Sequence, residues 1–249
     1  IADGKIVGMG SAPAGFTAAR SIDASGLVVA PGLIDLAARL REPGFEYKAT
    51  LESEMDAAMA GGVTSLAIPP DTDPVLDEPG LVEMLCYRAK KLNRAHVYPV
   101  GALTIGLKGE QLSEMAELVE AGCVAFSQAN TPILDTRVLS RAMQYAATFG
   151  FRVWLQPLDP YLARGGVAHD GEVASRLGLP GIPASAEIVA LYTYLRLARQ
   201  TGARLHITRL SCAESLDLIE QARKDGVDVS CDVAAHHLHL CDMDIGYFN

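Results

Sequence analysis

Short β-branched and apolar runs alternate along this chain with longer stretches in which apolar positions recur every three to four residues. The runs fall at residues 26–35, 63–68, 96–101, 123–127, 152–156, 204–208 and 227–233. Between them, helical periodicity covers 48–60, 81–92, 111–120, 136–149, 185–200 and 213–224. Gly61, Gly122, Gly150, Gly202 and Gly226 close several of these stretches, as left-handed helix ends feeding the next strand require. Strands that alternate with helices predict parallel βαβ units, hence an α/β fold.

A doubly wound sheet and a (β/α)8 barrel both fit that alternation. The length of 249 residues matches the typical barrel, and no glycine-rich dinucleotide fingerprint follows the first strand. The expectation is therefore a TIM-type barrel over residues 29–249, with its last βα unit outside the chain. Residues 1–28 read as the remnant of a small β appendage, expected to be part of a β-sandwich. The start at Ile1 without a methionine and the stop at Asn249 read as truncation points. The Gly- and Pro-containing stretch 159–183 reads as one long loop.

Charge narrows the function classes. Lys and Arg number 21 against 30 Asp and Glu, a net charge of -9, and no basic run could track a phosphate backbone, so no nucleic acid partner is expected. No apolar run approaches the roughly 20 residues that span a bilayer, so no membrane partner is expected either. The five scattered cysteines contain no CxxC pair and signal neither a disulfide framework nor a thiolate zinc site, which suits a reducing cytoplasm.

In a barrel the chemistry sits just after each strand. The first run is followed by Pro31-Gly32-Leu33-Ile34-Asp35-Leu36-Ala37-Ala38-Arg39-Leu40-Arg41-Glu42-Pro43-Gly44. This segment resembles the PGLIDxHxHLREPG signature of the dihydroorotases, cyclic amide hydrolases of the amidohydrolase superfamily. The resemblance continues in order through Pro70-Asp71-Thr72-Asp73-Pro74, Gly106-Leu107-Lys108-Gly109, Ala125-Phe126-Ser127, Gly178-Leu179-Pro180-Gly181 and His236-His237-Leu238. It implies a zinc-dependent barrel that interconverts N-carbamoyl-aspartate and dihydroorotate. The zinc would be held by a His-x-His pair, two further histidines and an acidic or carboxylated-lysine bridge.

Carried over residue by residue, those ligand positions fall on Ala37, Arg39, Gln156 and Arg209, and the bridge on Gln128. A methyl group cannot ligate, a guanidinium repels a dication, and amides are poor zinc ligands. No catalytic residue and no metal or other cofactor is therefore expected. The asparagines of the family's PNTNP segment are Asp71 and Asp73, which would repel a substrate carboxylate, whereas the family's carboxylate-binding arginine survives as Arg41. Arg41, Asp71, Asp73 and His236 are the residues expected to line what remains of the pocket, with Arg39 and Arg41 neutralised by the two aspartates. Strand alternation would point His236 and His237 to opposite faces, so a joint site is not expected. His206 reads as a packed strand residue; His96 and His169 have no companions in sequence.

These departures resemble the inactive dihydroorotase-like subfamily of pseudomonads and related bacteria. That resemblance implies a homodimer within a dodecamer shared with the aspartate transcarbamoylase catalytic chain, in pyrimidine biosynthesis. Two other readings stay open: an active dihydroorotase with a non-standard site near His236 and His237, and a small-anion binding protein using Arg39 and Arg41.

Overall fold

The structure is a computed structural model and describes residues 1–246. Its chain forms two compact units, Ile1–Gly32 and Leu33–Asn249. The first unit contains a single antiparallel bridge, Ala2 with Lys5, and no strand. The boundary thus falls at 32/33, and the expected β appendage does not form as a sheet.

In the second unit the elements follow the order expected from the hydrophobic pattern. They are β1 (Leu33–Asp35), α1 (Leu51–Ala60), β2 (Val63–Ile68), α2 (Pro79–Leu92), β3 (His96–Ala102), α3 (Met115–Ala121), β4 (Ala125–Ser127), α4 (Thr136–Phe149) and β5 (Arg152–Leu155). After these come β6 (Ala168–His169), α5 (Glu172–Leu177), β7 (Gly181–Ile182), α6 (Ser185–Thr201), β8 (Arg204–Ile207), α7 (Ala213–Lys224) and β9 (Val229–Cys231). Seven strands form one parallel sheet in the order β1-β2-β3-β4-β5-β8-β9, and β6 pairs with β7 separately.

Two expectations are corrected. The first apolar run yields only three paired residues, because the ladder starts where the Leu33 N–H reaches the Gly62 carbonyl at 2.9 Å; Val28 and Val29 pair with no strand, and Pro31 has no N–H to donate. The 159–183 loop holds β6, α5 and β7. Its two-residue strands are too short to show alternation, and its six-residue helix is too short to show a period. Helix ends follow glycine at Gly150 and Gly202, both left-handed, whereas Gly61 has φ -83° and the left-handed residue is Gly62.

Alternation along the strands divides the sheet into two faces. Leu66, Ile68, Phe126, Val153, Leu155, Leu205 and Ile207 join the large core beneath the helices, against Leu51, Met55, Leu85, Leu118, Met143 and Leu191. The intervening residues Ala67, Val100 and Ala125 form a second, smaller cluster with Trp154 on the other face. His206, between Leu205 and Ile207, belongs to that face, its ring 5.2 Å from that of Trp154. The C-terminal halves of β2 and β3, with β4, are thus covered on both sides and read as near-continuous apolar runs, whereas β1 is exposed throughout.

Candidate functional site

The C-terminal ends of the parallel strands deliver six polar side chains to one place. Arg39 follows β1, Asp71 follows β2, Asn130 follows β4, Gln156 follows β5, Arg209 follows β8 and Asp232 follows β9. Arg39 donates through Nε to Asp71 Oδ2 at 2.9 Å and through Nη2 to Asn130 Oδ1 at 3.3 Å. Arg209 Nη2 reaches the same Asn130 oxygen and Gln156 Oε1, each at 2.5 Å. One amide oxygen therefore joins two guanidiniums from opposite sides of the sheet.

Below them, Asp232 holds two donors. Its Oδ1 accepts from the Arg209 backbone N–H at 2.7 Å, and its Oδ2 lies 2.9 Å from His206 Nε2. A carboxylate only accepts, so Nε2 carries a proton, and Nδ1 lies 2.9 Å from Ser230 Oγ. Burial opposes the charge on Asp232. The His206 and Arg209 hydrogen bonds, with the charges of both residues, nonetheless hold its carboxyl below the usual range. This bond also anchors Arg209 in a left-handed backbone, φ 57°. The Arg209 guanidinium is pushed below its ordinary pKa, first by burial and then by the charge of Arg39.

Ala37, Arg39, Ser127, Ala129, Trp154, Thr208 and Arg209 surround a cavity of about 20 Å³ between these strand ends. A single water needs roughly 10–15 Å³, so the cavity admits one small species and no ring. Gln128 is buried and turned away from it, donating through Nε2 to Thr104 Oγ1 at 2.7 Å. The positions onto which the resemblance places zinc ligands thus hold a methyl group, two guanidiniums and two amides, a donor set that does not fit the metal. Among the described residues no three His, Cys, Asp or Glu side chains converge as a metal-holding group.

The other expected pocket residues lie elsewhere. Among the described residues Arg41 makes no ion pair, and its own backbone is left-handed at φ 65°, unlike that of Arg39. Asp73 is exposed; its backbone N–H reaches the Pro43 carbonyl at 3.2 Å, while its side chain joins neither arginine. The expected mutual neutralisation therefore involves Arg39 and Asp71 and does not extend to Arg41 and Asp73. His236 lies in a 3-10 turn, Ala235–Leu238, so strand alternation does not separate it from His237. Their rings meet edge to face at 4.4 Å, and both line a cavity of about 460 Å³ with His169, Gln156 and Arg209.

Sequence reasoning missed Asn130, Asp232 and Glu187. Asp232 could have been found from its place near the end of the last run, where a barrel strand delivers its polar side chain. Glu187 gave no signal. It is buried on α6 and accepts from the backbone N–H groups of Ser211 and Cys212 at 2.9 and 3.1 Å and from the hydroxyls of Ser211 and Ser215, closing the N-terminus of α7 from within.

Comparison with known proteins places this architecture. Residues 26–215 match the profile of a family described as dihydro-orotase-like. A "Dihydroorotase-like protein" of Pseudomonas aeruginosa is 51% identical over 239 residues, covering 96% of this chain and 56% of the relative. One of Pseudomonas putida is 49% identical over 246 residues, covering 99% and 58%. A "Dihydroorotase" of Desulforapulum autotrophicum is 41% identical over 229 residues, covering 92% and 54%. The chain thus spans little more than half the length of these relatives. Among solved structures, an L-hydantoinase from Arthrobacter aurescens superposes with a TM-score of 0.77 at 21% identity, over 92% of this chain and 52% of that one. A dihydroorotase from Saccharomyces cerevisiae, in complex with 5-fluoroorotic acid, superposes with a TM-score of 0.62 at 18% identity, over 87% and 60%. At those identities the likeness is one of fold, the (β/α) barrel.

Proposed function

The chain belongs to the dihydroorotase-like family, and from that premise we propose that it comes from a member that has lost metal-dependent catalysis and serves as a structural or regulatory subunit. One observation carries the proposal. Where the resemblance places a zinc centre, Arg39, Asp71, Asn130, Gln156 and Arg209 bond to one another, and guanidiniums and amides stand in place of imidazoles and a bridging carboxylate. Two fixed guanidiniums raise the electrostatic cost of a dication at that place.

The partner follows from the resemblance set out above: the aspartate transcarbamoylase catalytic chain, in a cytoplasmic complex. A barrel's outer surface and its mouth are built from different residues, so an interface can persist after the mouth changes. The test uses the full-length protein. Elemental analysis is expected to find well under one zinc per chain, and dihydroorotate to remain unconverted; stoichiometric zinc with turnover overturns the proposal. Co-purification with the transcarbamoylase of the same organism tests the partner. A transcarbamoylase equally assembled and equally active without this chain rules that partner out.

A further inference from the structure

Two buried side-chain N–H groups have no acceptor among the described residues, Trp154 Nε1 and Arg209 Nε. Both residues line the same cavity of about 20 Å³. A buried donor without an acceptor costs free energy, and two on one cavity mark a place where an acceptor is required.

The charges say what kind of acceptor. Arg209 donates from Nη2 to two neutral amide oxygens, those of Asn130 and Gln156, and its guanidinium forms no ion pair among the described residues. The nearby carboxylates are committed elsewhere: Asp71 to Arg39, and Asp232 to the Arg209 backbone and His206. A half-buried cation beside a second cation, with no carboxylate in contact, favours an anion over a neutral water. The α7 N-terminus does not compete for it, since Glu187 already fills that position.

We propose that this cavity is a monatomic anion site, taking chloride or a similar halide, at the place where the resemblance puts a cation. Arg209 supplies the positive charge, and Trp154 Nε1–H and Arg209 Nε–H supply the hydrogen bonds. The size excludes phosphate, carbamoyl groups and carboxylic acids. The proposal rests on the metal-free reading of the barrel mouth.

The test is thermal unfolding of the full-length protein at constant ionic strength, with chloride exchanged for gluconate, which is too large to enter. The unfolding temperature is expected to rise saturably with chloride and with bromide. Trp154→Phe keeps the ring against His206 but removes the donor, and is expected to weaken that dependence at least tenfold. If this variant does not fold, diffraction from wild-type crystals grown in bromide decides alone, through an anomalous peak in the cavity. Equal unfolding temperatures in chloride and gluconate, or a cavity holding a water or a carboxylate of the chain itself, overturn the proposal. Failure here without zinc leaves the metal-free reading standing, whereas zinc in the cavity with turnover removes both.

Discussion

Arg39 and Asp71 form an ion pair, Nε to Oδ2 at 2.9 Å, across the C-terminal ends of the neighbouring strands β1 and β2, with each side chain about three-quarters buried. The resemblance sets Arg39 against a histidine of the family pattern and Asp71 against an asparagine. The two side chains are chemically complementary: the cation after β1 is matched by the anion after β2. Arg209 extends the set through Asn130, so the barrel mouth is bound together by hydrogen bonds among its own side chains.

Removing the Asp71 carboxylate, which pairs with Arg39, should therefore cost more than removing one guanidinium. Asp71→Asn leaves Arg39 and Arg209 facing each other with less compensation, and a loss of about 1–2 kcal/mol is expected in urea unfolding. Adding Arg39→Met should recover part of it, giving a coupling energy on the order of 1 kcal/mol in the double-mutant cycle. Strictly additive losses would show that the pair contributes no specific interaction.

Glu187 makes a different prediction. Its carboxylate accepts from four donors at the start of α7 while buried. Glu187→Gln keeps the shape but replaces one acceptor oxygen by an NH₂ that faces donors. Hydrogen bonds to charged groups contribute about 1.5–3 kcal/mol each, so an unfolding loss of roughly 2 kcal/mol or more is expected. Amide exchange should quicken first in α7. An unchanged stability would mean that water replaces the carboxylate without cost.

The acid limb of stability should depend on Asp232. Burial works against its charge, yet the bonds from His206 and the Arg209 backbone hold its folded pKa below the unfolded value of about 3.9. The stability it contributes is therefore complete above that unfolded value and is lost as the pH falls through the folded one. The difference in unfolding free energy between wild type and Asp232→Asn should be flat above about pH 5 and shrink below about pH 4. A difference that grows on acidification would contradict the assigned direction.

Which of these features the sequence discloses depends on their range. Val63–Ile68 is legible because a strand buried on both faces reads as a continuous apolar run. The run at residues 26–32 is also apolar at Leu27–Ala30 but has no partner strand, and local pattern does not report pairing. Arg39, Gln156 and Arg209 could be located by their spacing after the runs. Asn130 could not, since its role depends on side chains 91 and 79 residues away meeting at one oxygen. Arg41 lies two residues from Arg39, yet its left-handed backbone sends the chain out of the series that spacing alone suggests. The retained signature residues serve the scaffold. Glu42 is buried, accepts from the Leu51 N–H at 2.8 Å and pairs with Arg88.

Gly44 tests that scaffold role directly. Its φ is 97°, and a Cβ there would collide with the Asp73 carbonyl oxygen. Gly44→Ala must therefore adopt a strained backbone and push apart the loops that follow β1 and β2. A loss of about 2 kcal/mol or more is expected in chemical unfolding. A neutral effect would mean that these loops move apart freely, and the Arg39–Asp71 pair would then not depend on their contact.

Returning the four histidines tests how deep the change at the barrel mouth goes. Ala37→His, Arg39→His, Gln156→His and Arg209→His together restore the imidazoles of the family pattern but remove both cations that hold Asp71 and Asn130. The imidazole at position 37 enters a space of about 20 Å³ enlarged only by loss of the guanidiniums. Gln128 remains a neutral amide bonded to Thr104, so the bridging position still lacks a carboxylate. Asp71 remains an anion in the segment to which the resemblance assigns contact with the substrate carboxylate. The quadruple variant is therefore expected to be less stable than wild type, to bind zinc below one ion per chain and to leave dihydroorotate unconverted. Stoichiometric zinc with turnover would show that the ligand substitutions alone account for the loss, and that the commitment of Gln128 and the charge of Asp71 are no obstacle to the reaction.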